Sequence, residues 1–72
     1  MKYYVISIQH INDGTTPCSI FVYDTEDAAR MAFHQTLASD YANSNLTGFL
    51  VQLIDDSGVI INTENGGNVN DN

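Results

Sequence analysis

Apolar positions along the chain fall into short dense runs, broken by polar clusters, with one change of period near the middle. Residues 3–11, YYVISIQHI, are rich in aromatic and β-branched side chains and predict a strand. NDGTTP follows at 12–17, where Asn12, Asp13, Gly14 and Pro17 together mark a turn. CSIFVY at 18–23 predicts a second strand, so the first third of the chain reads as a β-hairpin.

At Asp24 the pattern changes. DTEDAARMAFHQTLASDYAN contains neither Gly nor Pro and is built from good helix formers. Asp24 or Thr25 can cap its start, and Glu26 and Asp27 then occupy the first turn, where the helix dipole favours negative charge. Glu26 and Arg30 are spaced as an i,i+4 ion pair. The helix should end near Asn43, where a polar linker begins. TGFLVQLID at 47–55 and VIINTE at 59–64 predict two more strands around the turn DSG. Residues 65–72, NGGNVNDN, hold one apolar side chain, Val69, and are expected to be a disordered tail behind a single domain of residues 1–64.

This ββαββ order has few solutions. If the helix carries the chain back across the sheet, strand 3 lies beside strand 1, giving an antiparallel order 2-1-3-4 with the helix on one face. The expected class is therefore α+β.

One helix covers one face of such a sheet, and the other should then be polar. The strands do not alternate cleanly. Tyr4, Ile6 and Ile8 point one way, and Tyr3, Val5 and Ile11 the other. Phe49, Val51 and Leu53 oppose Leu50 and Ile54. On the helix, Ala29, Phe33 and Leu37 form one stripe with Tyr41 at its edge, while Ala28, Met31, Ala32, Ala38 and Ala42 spread over the far side. Apolar area on both faces predicts that a second chain, in the first instance a second copy, packs against this one. Tyr3, Val5, Met31, His34 and Tyr41 are the candidate interaction surface.

Size supports an oligomer. The chain has 72 residues, and a core this small rarely supplies more than about 3–5 kcal/mol without disulfides, metals or association. Cys18 is the one cysteine and cannot form an internal bridge. Cys18, His10 and His34 are too few and too scattered for a structural zinc site. No metal or cofactor is expected: the acids lack the alternate spacing of a calcium loop, and the five glycines form no phosphate-binding motif.

Nine acids against Lys2 and Arg30 give a formal charge of −7. That disfavours direct binding to nucleic acid, which needs clustered cations, and to anionic membranes. It permits a basic protein partner. The start MKYYVISIQH does not read as a secretion signal, no segment approaches about 20 apolar residues, and an unpaired cysteine suits a reducing compartment. A cytoplasmic location is the expectation.

His34, Ser39 and Asp40 are the residue types of a nucleophilic triad, but helical spacing separates them. His34 faces Leu37 and Ala38, and Ser39 and Asp40 fall more than about 100° around the axis. His34 reads as a boundary residue, His10 as a strand-end residue and Cys18 as an inert thiol. A catalytic site would have to be assembled across a dimer, from His34, Tyr41 and acids of a second chain. The expectation is a protein that binds rather than catalyses.

MKYYVISIQ, FHQTLASD and VQLIDDSG together resemble a group of short proteins encoded by gut Firmicutes and their mobile elements. The resemblance spans most of residues 1–58. It implies a bacterial or phage cytoplasmic origin and carries no assigned activity. An alternative role consistent with it is an inhibitor that offers acidic surface to a basic nucleic-acid enzyme.

Overall fold

The computed structural model describes residues 1–67. Strands β1 (Tyr3–Ile11) and β2 (Cys18–Tyr23) form the first hairpin, helix α1 (Glu26–Ala42) crosses over, and β3 (Leu46–Asp55) and β4 (Ile60–Gly66) form the second. All pairings are antiparallel, in the order β2-β1-β3-β4, with β1 and β3 in the centre. The expected ββαββ architecture is the observed one.

Local chemistry explains the corners. In the first turn Asp13 Oδ1 accepts from the Thr15 N–H at 2.9 Å and from its hydroxyl at 2.7 Å. In the second, Asp55 Oδ1 accepts from the N–H groups of Ser57 and Val59 at 2.9 and 3.0 Å. Gly14 and Gly58 sit at φ 93° and 87°, where a side chain is disfavoured. The helix starts at Glu26 because Thr25 has extended backbone and its hydroxyl accepts from the Ala28 N–H at 3.2 Å. Of the two expected caps, the structure uses Thr25.

The core lies between α1 and the middle of the sheet. Val5, Val51, Leu53, Phe49 and Leu46 from the strands meet Ala29, Phe33 and Leu37 from the helix, all nearly inaccessible to water. Registers Val5↔Leu53 and Ser7↔Val51 place these strand residues on one face. A bulge between Leu53 and Ile54 gives β4 an extra residue, and Ile61 packs against the same core.

Two differences from the expected elements stand out. β4 continues to Gly66, because Asn65 pairs with Leu50 and Gly66 with Phe49. Asn65 and Gly66 thus belong to the sheet and Gly67 follows it; residues 68–72 of the expected tail lie outside the described residues. The helix also buries Asp40, a residue that the apolar stripe alone did not select.

Candidate functional site

Two surfaces stand out, one on each side of the sheet. The first is the side away from α1. Alternation along the strands puts Tyr4, Ile6 and Ile8 of β1 there, beside Val22, Ile20 and Cys18 of β2 and Ile54, Gln52 and Leu50 of β3. Ile60, opposite Ile54, extends it onto β4. Ile20, Val22 and Ile60 are each more than half exposed, and no described element lies over this side. None of these ten side chains is charged, in a chain of net charge −7.

The second surface is a groove of about 380 Å³ on the helix side. It exists because α1 sits off-centre. Val5 and Leu53 beneath it are fully buried, whereas Phe21, on the same face of β2, is 47% exposed. The groove runs between Ser19, Phe21 and Tyr23 of β2 and Ala32, Gln35, Thr36 and Ser39 of α1, with Ser7 and Gln9 as its floor. At the end near Pro17 lies Asp40, 2% exposed, whose Oδ1 accepts from Gln9 Nε2 at 2.9 Å.

The five residues expected to form an interaction surface do not come together. Val5 is wholly buried under the helix and Tyr3 packs half-buried on the same side. The row of β1 that faces away from α1 is Tyr4, Ile6 and Ile8, because the helix covers the Tyr3 and Val5 row. Met31 and His34 are exposed on the helix. The His34 ring meets Phe33 edge-on at 5.4 Å. Tyr41 is anchored on the β4 side, edge-on to Phe49 at 4.9 Å, with its hydroxyl donating to Glu64 Oε2 at 2.7 Å. That bond, first, and loss of water raise the Tyr41 pKa above its ordinary value.

The three triad-like residues also stay apart in role. Asp40 is buried against Gln9, Ser39 is exposed at the groove, and His34 contacts Phe33. Most described acids have structural tasks. Asp24 pairs with Lys2, which raises the lysine pKa and lowers that of the aspartate through hydrogen bonding and charge. Glu26 meets Arg30 at 2.6 Å. Asp13 and Asp55 hold turns, and the Thr15 backbone N–H, first, lowers the Asp13 pKa. Asp56 accepts from the Lys2 backbone N–H at 3.0 Å. These acids are dispersed around the fold rather than aligned.

Among the described residues no group of three or more His, Cys, Asp and Glu side chains is placed to hold a metal ion. No helix among them is long and apolar enough to cross a membrane. The fold defines a small α+β protein with an apolar sheet face that no element among the described residues covers. Comparison with known families, with curated proteins and with solved structures finds no match to the chain.

Proposed function

We propose that this chain is a non-enzymatic interaction protein that works as a homodimer, two copies packing face to face through the uncovered side of the sheet. The observation that carries this is the uncharged apolar field of Tyr4, Ile6, Ile8, Ile20, Val22 and Ile54. Exposed apolar patches of this extent mark contact sites.

Charge favours a second copy as the occupant. Two chains of net charge −7 repel wherever their carboxylates meet. The ten side chains of this field carry none, so copies can approach over it without bringing acids together. A twofold contact also requires a self-complementary patch, which the apolar field over β2, β1 and β3 provides, with Gln52 as its polar member.

Area is consistent with this pairing. Four strands about 4.8 Å apart, paired over about six residues at ~3.3 Å each, give about 400 Å² in plan. Side-chain relief raises that toward the roughly 600 Å² per partner of the smaller specific interfaces. Sheets stacked in this way form a sandwich with a second apolar layer, which supplements a core too small to be comfortable alone.

Light scattering at micromolar concentration tests the reading. The expected mass is twice the chain's 7.9 kDa. Ile6→Glu, which places a charge in the centre of the face, should return the single-chain mass with the circular dichroism of the fold retained. A wild-type mass near 7.9 kDa at that concentration overturns the proposal.

A further inference from the structure

The helix-side groove is lined mainly by side chains that both donate and accept hydrogen bonds. Four are hydroxyls, those of Ser7, Ser19, Thr36 and Ser39, and two are the amides of Gln9 and Gln35. Ser7 and Ser19 stand opposite each other on β1 and β2, which sets their Cβ atoms about 5 Å apart on one side of the sheet. Ser7 is 7% exposed, and its hydroxyl makes no hydrogen bond with any described residue. A hydroxyl so deep in a fold is ordinarily bonded, and the groove is the side from which a partner atom can reach it. Of the six polar side chains only Gln9 bonds to another described residue, donating to Asp40. The other five leave their hydrogen-bonding capacity to whatever fills the groove.

Charge narrows the occupant. No lysine or arginine lines the groove, and both cations of the chain are engaged elsewhere, Lys2 with Asp24 and Arg30 with Glu26. Nothing there holds an anion, in a chain of net charge −7. Asp40 is 2% exposed and takes the Gln9 amide, so it offers no open carboxylate to a cation. A neutral ligand is what the lining suits. The apolar part of the β2 wall is aromatic, the rings of Phe21 and Tyr23. Their negative faces attract C–H groups. The helix wall contributes Ala32 and no ring, so a planar base is not sandwiched.

We propose that the groove is a binding site for a neutral saccharide, one or two sugar rings in extent. Such a ligand has a C–H face for Phe21 and Tyr23 and a rim of hydroxyls for Ser7, Ser19 and Thr36. Adjacent hydroxyls of one ring reach the two opposed serines, and each donates and accepts as its partner does. The volume of about 380 Å³ falls in the range of roughly 300–1,000 Å³ for small-molecule sites. The groove opens on the helix side, so the site does not depend on whether two sheets stack through their other faces.

The test is an amide NMR titration of the full-length protein with the neutral disaccharides cellobiose, lactose and maltose, and with sodium glucuronate, adenosine and glycerol for comparison. At least one disaccharide should give saturable shifts at Ser7, Ser19, Phe21 and Thr36 at millimolar concentration, unchanged by added salt. Ser7→Ala should weaken that binding at least fivefold. Phe21→Ala, at a half-exposed position whose loss leaves the core intact, should weaken it at least tenfold with the circular dichroism of the fold retained. No saturable shift with any of the three disaccharides overturns the site, as do shifts confined to Tyr4, Ile6 and Ile8. Equal binding by both variants overturns the assigned contacts. Tighter binding of glucuronate or adenosine overturns the ligand class. Glycerol matching the disaccharide at equal concentration reduces the groove to the binding of an adventitious additive only.

Discussion

Gln9 and Asp40 join the sheet to the last turn of the helix: Gln9 Nε2 donates to Asp40 Oδ1 at 2.9 Å across 31 residues of sequence. The contact sits at the margin of the core, where α1 leaves β2 uncovered. It closes one end of the groove with a polar clamp in place of an apolar side chain. Asp40 is 2% exposed there, so its carboxyl is kept from water.

Removing the donor from that clamp is expected to cost more than removing both partners. Gln9→Leu leaves a nearly inaccessible carboxylate without its amide donor, a loss of about 1–3 kcal/mol. In the double variant Gln9→Leu/Asp40→Leu the carboxyl group is gone as well, and apolar replacement of both partners of a buried hydrogen bond can be close to neutral. Urea denaturation of the two single variants and the double gives the coupling directly. Strict additivity of the two losses would show that the bond contributes nothing.

Tyr41 and Glu64 make stability sensitive to alkali. The hydrogen bond to Glu64 and loss of water both favour the protonated phenol in the folded chain. The folded state therefore holds this proton more tightly than the unfolded one. The stabilisation is complete below the ordinary tyrosine value of about 10 and disappears as pH rises through the higher folded value. Subtracting the phenolate titration of Tyr41→Phe from that of the wild type should isolate a midpoint above ~10. Glu64→Ala should return it toward the ordinary range.

The sheet order was legible because it follows from element order, and the element order follows from period changes at Asp24 and Asn43. Phe33 and Leu37 were legible as the helix anchor for the same reason, since apolar spacing reports which side of a helix is covered. Asp40 was not, because its burial depends on Gln9, a residue 31 positions away on a strand whose inward side could not be read. With apolar residues on both faces of β1, alternation gives two sets but not their sides. Helix placement decides, and it depends on tertiary packing. That is why Val5 lies in the core and Ile6 on the open face. The end of β4 was hidden differently, as its Asn-Gly-Gly composition reads as a linker while its pairing is with Phe49 and Leu50.

Gly67 provides a check on that last point. A Cβ there would clash with the Thr47 carbonyl oxygen and come within 3.0 Å of Gly48 Cα. Both are backbone atoms, so the chain must move. Gly67→Ala is expected to lift the end of β4 from β3 and shorten the strand, seen as faster exchange of the Asn65 and Gly66 amides. A chain that was a loose tail from residue 65 onward would tolerate the alanine with no change in exchange.

Among the described residues eight apolar side chains are buried in the core, and Phe33 is one of them at 1% exposure. Its truncation removes the largest fully buried side chain of that cluster. Phe→Ala changes in cores cost about 3–5 kcal/mol, which matches the roughly 3–5 kcal/mol that a core of this size supplies in total. Phe33→Ala is therefore expected to populate the unfolded chain heavily, with loss of helical circular dichroism in dilute solution. Phe33→Leu keeps most of the volume and should remain folded, with a loss of no more than about 1.5 kcal/mol. If the open face stacks against a second copy, raising the protein concentration should restore structure to Phe33→Ala, because association stabilises only the folded form. The same rise should do nothing for Phe33→Ala combined with Ile6→Glu, so the pair of variants separates what the core contributes from what the second copy adds.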